Sequence, residues 1–190
     1  TKALDYRRTE WPMSYRHVGP VTWAPPADPP SWLDQVSRPV ALVTCSTERQ
    51  KDETIITSAL RSLPGEGLHV VATSASYDPA EAAALASEEA RVERFLSHDP
   101  IIERAAVVVC HGGMGITQRT LSKGVPLVVI PFGRDQLEVA RRVEAAGVGV
   151  RLMPRKLSPR TLAQAVRRAR SLSAAAAALG RFLREAGGAS

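Results

Sequence analysis

Residues 111–117 read His-Gly-Gly-Met-Gly-Ile-Thr, and they follow the apolar run Ala-Val-Val-Val-Cys at residues 106–110. An apolar run without alternation is typical of a parallel strand that is covered by helices on both faces. Three glycines let the backbone turn tightly after such a strand. Residues 115–123 then predict a helix, with Gly124 as its C-terminal stop. The stretch therefore predicts a strand, a tight turn and a helix.

The same alternation of strands and helices continues on both sides of this stretch. Strands are predicted at residues 40–44, 68–73, 91–96, 106–110, 126–130 and 149–152. Helices are predicted at residues 54–63, 115–123 and 135–146, over the Ala-rich stretch 79–90, and in two segments that begin at Ser158 and at Ser171 or Ser173. Repeated βα units of this kind are joined by right-handed crossovers. We therefore predict the α/β class, as a Rossmann-like three-layer sandwich with a parallel sheet, whose ligand site lies at the carboxyl ends of the strands.

Length and composition favour one domain in a reducing compartment. A chain of 190 residues with 44% hydrophobic content is long enough for one α/β domain with a core, but short for two. Cys45 and Cys110 both sit in apolar runs, which predicts buried reduced thiols and favours a cytoplasmic protein. The apolar stretches are interrupted well before the length of a membrane span, and the N-terminus is charged rather than signal-like.

The first part of the chain differs in composition from the rest. Prolines and all three tryptophans are concentrated there, which is typical of a linker with a few packing anchors. We therefore expect an interdomain linker and lead-in at residues 1–38, and a ligand-binding domain at residues 39–190.

The chain has a net charge of +6, and its basic residues are concentrated in the last third of the sequence. They are Arg141, Arg142, Arg151, Arg155, Lys156, Arg160, Arg167, Arg168 and Arg170. Nucleic-acid binding is the hypothesis that such a patch raises. Most of these arginines fall on the polar faces of predicted helices, and no aromatic residues interleave with them to stack on bases. A solvated face is therefore the favoured interpretation, and no nucleic-acid partner is expected.

The glycine-rich turn at residues 111–117 predicts an anion site. Free amides in the turn, the positive end of the following helix and the side chain of His111 together suit a phosphate group. Gly-rich turns are also common in α/β domains that bind no phosphate. The turn lacks the Gly-Lys-Ser or Gly-Lys-Thr ending of a P-loop, and no acidic residue follows at the spacing that dinucleotide folds use for ribose.

Several fragments, taken in order, resemble bacterial GT-B glycosyltransferases, which are relatives of the plant and animal UDP-glycosyltransferases. They are His111-Gly-Gly-Met-Gly, Gly124-Val-Pro, Pro131-Phe-Gly-Arg-Asp135-Gln136, Ala140-Arg-Arg-Val and Gly147-Val-Gly. Upstream, Val18-Gly19-Pro20, Trp32-Leu33 and Arg38-Pro39-Val40 resemble the linker and first strand of the C-terminal domain of that family. The resemblance covers nearly the whole chain and implies the C-terminal, donor-binding half of a GT-B fold.

The resemblance implies that the loop holds the diphosphate of a nucleotide sugar. The residues concerned are His111, Gly112, Gly113, Met114, Gly115, Ile116 and Thr117. His111 would also stabilise the departing diphosphate. Asp135 and Gln136 would bind the hydroxyls of the donor sugar, and a helix N-cap is the less favoured alternative for Asp135.

The same resemblance places Phe95, Leu96 and His98 near the nucleobase and ribose, and Thr47 near the phosphates. Phe95 would stack on the base, whereas a core position is its plain alternative. Thr47 could instead stabilise a turn.

Two residues depart from the family pattern in the same region. Ile116 stands where relatives have Ser or Thr, and Arg119 stands where many UDP-sugar users have a glutamate for the ribose. Arg119 could not accept a hydrogen bond from ribose. The nucleotide of the donor therefore stays open between UDP and dTDP.

The implied activity is inverting transfer of a sugar from a nucleotide diphosphate sugar to a hydroxyl group of a small-molecule or lipid acceptor. A histidine on an N-terminal acceptor-binding domain or subunit would be the general base, and neither metal nor cofactor is expected. The isolated chain would then bind nucleotide but transfer little or no sugar. The alternatives are a subunit of a split glycosyltransferase, a stand-alone or degenerate nucleotide-sugar-binding module, a UDP-sugar 2-epimerase half and a nucleic-acid-binding domain.

Overall fold

The computed structural model describes residues 4–6, 10–14, 18–24 and 26–187. Parts of the expected lead-in, at residues 1–3, 7–9, 15–17 and 25, lie outside the described residues, and so does the end of the expected domain at 188–190.

A single sheet of six parallel strands forms the centre of the described chain. The strands are β1 (Val40–Thr44), β2 (His69–Thr73), β3 (Ala90–Glu93), β4 (Ala105–Cys110), β5 (Leu127–Val129) and β6 (Gly149–Arg151). Their order in the sheet is β3-β2-β1-β4-β5-β6. This is the Rossmann order, in which the direction of winding reverses between β1 and β4. The predicted fold class is therefore confirmed.

Seven α-helices in the described residues cover both faces of the sheet. They are α1 (Thr54–Ser62), α2 (Pro79–Ala83), α3 (His98–Arg104), α4 (Met114–Ser122), α5 (Gln136–Ala145), α6 (Pro159–Arg170) and α7 (Ser173–Glu185). The side chains of α1 and α6 share one core cluster, and those of α3, α4, α5 and α7 share the other. Because successive strand residues point to opposite faces, Val43 joins the first cluster and Leu42 the second. Burial of a side chain such as Leu42 stabilises the fold by about 1.5–3 kcal/mol.

Two predicted elements end earlier in the structure than expected, and one helix was not predicted. The third strand was expected at residues 91–96 but ends at Glu93, so Phe95 and Leu96 lie in a loop. The Ala-rich helix was expected at residues 79–90 but ends at Ala83. After it, the amides of Leu85 and Ala86 donate to carbonyls three residues earlier, as in a 3₁₀ turn, and this closes the end of the helix. Helix α3 was not predicted at all. Its Pro100 lies in the first turn, where a missing N–H costs nothing, and Ile101 and Ile102 are fully buried.

Helix α6 shows how the local sequence fixes a helix and its orientation. The hydroxyl of Ser158 accepts a hydrogen bond from the amide of Thr161, and the hydroxyl of Thr161 accepts one from the amide of Ser158. Together they form a capping box. Leu162 and Val166 are buried against the sheet, whereas Arg160 and Arg168 are exposed. The arginines of α6 thus occupy its polar face, as the periodicity predicted. None of the helices in the described part of the chain has the length and apolar character that a bilayer span requires.

Candidate functional site

A cleft of about 440 Å³ opens at the carboxyl edge of the sheet, beside the reversal between β1 and β4. It is lined by Trp23, Ala24, Thr44, Cys45, Ser46, Thr47, Phe95, Leu96, Ser97, His98, His111, Gly113, Gly115, Ile116 and Arg119. Another cavity of about 420 Å³ lies at the opposite edge of the sheet, around Trp32, Arg38 and His69. We assign the ligand site to the first cleft, because ligands of such folds bind at the strand reversal, outside the carboxyl ends of the strands.

The turn after β4 depends on two glycines. Gly112 has a φ of +99°, in the left-handed region, and a Cβ there would lie 2.7 Å from Cγ1 of Val129. A Cβ on Gly113 would lie 2.7 Å from Nε2 of His111. The turn therefore passes between β5 and the imidazole ring only because neither residue carries a side chain.

The first turn of α4 leaves backbone donors free at the cleft. Gly113 precedes the helix, and no side chain caps its N-terminus. The amides of Met114, Gly115 and Ile116 have no acceptor within the helix, since they belong to its first turn. A Cβ on Gly115 would meet nothing within 4 Å, so the space beside it is open. Free donors at the positive end of a helix are the arrangement that the sequence predicted for an anion site.

Some of the expected loop residues lie outside the lining of the cleft. Thr117 is buried, its amide and its hydroxyl both donate to the carbonyl of Gly113, at 3.1 and 2.9 Å, and it therefore stabilises the helix start. The side chain of Met114 lies in a separate groove with Leu4 and Val139. Gly112 supplies the turn and does not line the cleft.

His111 lies at the rim of the anion site in a half-buried position. Burial lowers the pKa of its imidazole, and the carboxylates of Asp52 and Asp135 partly oppose this shift. The ring is therefore neutral near pH 7 and has one N–H to donate to an anion.

The loop between β1 and α1, residues 45–53, is held by a buried carboxylate that the sequence analysis did not single out. Asp52 is fully buried, and it accepts from the amide of Ser46 at 2.6 Å and from the hydroxyl of Tyr77 at 3.0 Å. Burial and the bond to Asp52 raise the pKa of Tyr77. The network fixes the loop so that Thr47 is exposed at the cleft. The sequence gives no signal that Asp52 is buried, because it lies among polar loop residues.

Phe95 and His98 also line the cleft. Phe95 is 76% exposed, which contradicts the core alternative considered for it. Nε2 of His98 lies 3.0 Å from the hydroxyl of Thr73. Burial, and secondarily the charge of Arg119, lower the pKa of His98 to about 4. His98 is therefore a neutral hydrogen-bonding group at pH 7.

Arg119 is engaged by a carboxylate next to His98. Its Nε and Nη2 donate to Oδ1 of Asp99 at 2.9 and 2.7 Å. Asp99 lies in the first turn of α3, the helix that the sequence analysis missed. This pair gives the guanidinium of Arg119 a partner at the position where the resemblance implies a glutamate in many UDP-sugar users.

Asp135 and Gln136 do not line the cleft. Asp135 is exposed and occupies the N-cap position of α5, as the capping alternative predicted, but its side chain makes no capping bond. Gln136 is 3% exposed, and its Oε1 accepts from the amides of Phe132 and Gly133 at 2.8 and 3.1 Å. Its Nε2 donates to Oε1 of Gln50 at 2.9 Å. The carboxamide is thus already used in holding two loops, which the sequence analysis did not anticipate.

Residues 68–186 match the family model described as erythromycin biosynthesis protein CIII-like, C-terminal domain. The chain is 37% identical over 169 residues to 4'-demethylrebeccamycin synthase of Lentzea aerocolonigenes, an alignment that covers 87% of this chain and 39% of that protein. It is 32% identical over 159 residues to a PGL/p-HBAD biosynthesis glycosyltransferase of Mycobacterium tuberculosis, covering 82% of this chain and 36% of that protein. The chain therefore spans well under half the length of these curated relatives.

Solved structures show the same fold. The calicheamicin glycosyltransferase CalG4 superposes with a TM-score of 0.79 at 24% identity, over 94% of this chain and 45% of that one. Glycosyltransferase VinC in complex with dTDP superposes with a TM-score of 0.76 at 24% identity, over 98% of this chain and 47% of that one.

Proposed function

Because the chain belongs to the family of erythromycin biosynthesis protein CIII-like C-terminal domains, we propose that it binds the nucleotide sugar of a two-domain glycosyltransferase. The proposed reaction is transfer of the sugar, with inversion, from a UDP-sugar or dTDP-sugar to a hydroxyl group of a small-molecule or lipid acceptor. Residues 39–190 would be the donor-binding domain, and residues 1–38 the linker that leads into it.

The uncapped start of α4 behind His111 carries the proposal. The first turn of α4 has free amides, and its positive end lies at a cleft at the strand reversal of a Rossmann-like sheet. When the bond between sugar and phosphate breaks, negative charge grows on the departing diphosphate. Fixed donors that face this charge stabilise the transition state more than the ground state. His111 would add one side-chain donor, and no metal or cofactor is needed for this role.

The lining of the cleft supports a nucleotide. The first turn of α4 offers the amides of Gly115 and Ile116, and Phe95 and Leu96 add apolar surface to the same lining. Arg119 is paired with Asp99 and cannot accept from a ribose hydroxyl. Both UDP and dTDP therefore remain candidate carriers, and Asp135 is the remaining candidate for the sugar hydroxyls.

A preceding domain would supply the acceptor cleft and the general base. The relatives are more than twice as long as the matched segment, and one of them is named for the synthesis of 4'-demethylrebeccamycin and another for PGL/p-HBAD biosynthesis. We propose that this chain alone binds nucleotide without transferring sugar. Cys45 and Cys110 are free, buried thiols, which supports a cytoplasmic location for the enzyme.

Titration calorimetry of the purified chain with UDP, dTDP and their sugar conjugates tests this function. We expect saturable binding, together with no sugar transfer to small hydroxylated acceptors. The His111→Ala variant should bind more weakly, and His69→Ala, which changes the cavity at the other edge of the sheet, should bind as the parent chain does. Absence of any nucleotide binding would overturn the proposed function, and turnover by the isolated chain would overturn the requirement for a second domain.

A further inference from the structure

Trp23 is a large apolar side chain in an unexpected position. It belongs to the lead-in before β1, is 83% exposed and lines the same cleft as the glycine-rich turn. Leaving an indole in water forgoes the stabilisation that its burial would give. The other described aromatic side chain with comparable exposure in this lining is Phe95, at 76%. Two unburied aromatic rings from distant parts of the chain thus meet at one cleft.

The lining around these rings also carries apolar and uncharged groups. The side chains of Leu96 and Ile116 belong to it. His98 is a neutral hydrogen-bonding group, and the guanidinium of Arg119 is neutralised by Asp99. A planar uncharged ring would find stacking surfaces here, since aromatic rings associate in offset or edge-to-face contacts. Gly115, whose amide is one of the proposed phosphate donors, lines the same cleft.

We infer that Trp23 stacks on the nucleobase of the bound nucleotide, so that the lead-in segment completes the base end of the cleft. This inference rests on the proposed function. Trp23 would then be a second aromatic residue that stacks on the base, in addition to Phe95. Alanine substitution of a stacking aromatic side chain commonly weakens binding of a base by about ten-fold.

The first experiment compares Trp23→Ala, Trp23→Phe and Trp32→Phe in nucleotide titrations followed by calorimetry. We expect Trp23→Ala to weaken binding of UDP and dTDP by about ten-fold and Trp23→Phe to retain most of the affinity. Trp32 is the matched control, because its ring lies under Arg91, 4.7 Å from the guanidinium carbon, at the cavity on the opposite edge of the sheet. Trp23 is exposed, so its replacement should leave the thermal unfolding of the chain unchanged.

The second experiment uses fluorescence to show contact with the base. The chain has three tryptophans, so Trp11→Phe with Trp32→Phe leaves Trp23 as the single indole. Its emission should be quenched by UDP or dTDP at the concentrations at which calorimetry shows binding, whereas a variant that retains Trp32 alone should not respond. Unchanged affinity in Trp23→Ala and unquenched Trp23 emission, with nucleotide bound to the parent chain, would overturn this inference alone. If the parent chain binds no nucleotide, the proposed function and this inference fail together.

Discussion

The imidazole of His111 fills the space beside Gly113 so closely that a Cβ on residue 113 would lie 2.7 Å from its Nε2. The ring can therefore keep this position only as long as residue 113 has no side chain. Any substitution at residue 113 acts on the anion site through the imidazole.

Gly113→Ala should displace the ring and weaken nucleotide binding while leaving most of the stability in place. The displaced atom is the far end of a side chain that can rotate, so we expect a loss of free energy of unfolding of about 1 kcal/mol or less. Nucleotide affinity should fall by about as much as in His111→Ala. Calorimetry and chemical denaturation of the same samples measure both quantities.

A double-mutant cycle isolates this coupling. In the His111→Ala background, Gly113→Ala should cause no further loss of affinity, because the ring that it displaces is gone. Gly65→Ala is the control for the general effect of such a change, since a Cβ there meets nothing within 4 Å. Additive losses in the double variant would contradict the arrangement.

Gln136→Leu should mainly destabilise the fold. It would leave the amides of Phe132 and Gly133 without their acceptor, and Oε1 of Gln50 without its donor. Removing the partner of a buried polar group costs about 1–3 kcal/mol, so we expect a loss of that order in the free energy of unfolding. Gln50→Ala, which removes one of these bonds, should cost less. Normal stability with a loss only of nucleotide-sugar affinity would instead support the sugar-binding role.

Asp52→Ala should disrupt the loop at residues 45–53 more than Tyr77→Phe does. The first change leaves the buried amide of Ser46 without its acceptor and removes the acceptor of the Tyr77 hydroxyl. The second removes that hydroxyl, which also accepts from the amides of Gln50, Lys51 and Asp52. Because Gln50 is half-buried and Lys51 is exposed, their amides can bond to water instead. We expect about 3 kcal/mol of destabilisation for Asp52→Ala and about 1–2 kcal/mol for Tyr77→Phe. Urea denaturation gives both values, and a loss for Tyr77→Phe as large as that for Asp52→Ala would contradict this ranking.

The stability of the chain should fall in acid partly because of His98. Its pKa is about 4 in the folded chain, against the ordinary value of 6.5 expected after unfolding, with burial as the first cause. The unfolded chain therefore binds the proton more readily than the folded chain does. The stabilisation from neutral His98 is complete above the pKa of the unfolded chain, 6.5, and is lost as the pH falls towards the pKa of the folded chain, about 4. Between about pH 7 and pH 4.5, this one group should remove on the order of 2 kcal/mol.

His98→Gln should reduce that loss, because glutamine can still bond to the hydroxyl of Thr73 but does not titrate. Denaturation curves at the two pH values, for the parent chain and the variant, give the difference. An identical acid dependence in both proteins would mean that His98 does not contribute.

The predictable part of the fold was the part with strong local signals. The runs around Val43 and Val108 have the continuous apolar pattern of strands buried on both faces, and Ser158 begins a helix that caps itself. Helix α3 was missed because Pro100 interrupts its short sequence, and only its tertiary position buries Ile101 and Ile102. Tertiary packing there outweighs a weak local propensity.

The candidate site was predictable at the turn and less so around it. The three glycines after a buried strand predicted the tight turn and the uncapped helix start, since the backbone itself forms both. The exposure of Phe95 and the engagement of Gln136 could not be predicted, because each depends on a residue distant in sequence or on the exact end of a strand. The pair of Arg119 and Asp99 required helix α3, which the sequence pattern did not show.

Gln50 and Gln136 join the loops that follow β1 and β5, the two strands on either side of β4, and Glu48 with Arg134 forms a second link between the same loops. These two links restrict where related sequences can be joined to make chimeric enzymes. A crossover placed between residues 62 and 127 would take the two loops from different parents and mismatch both links at once. A crossover before Val40 would transfer them together, so exchange at that boundary should yield the larger share of folded hybrids.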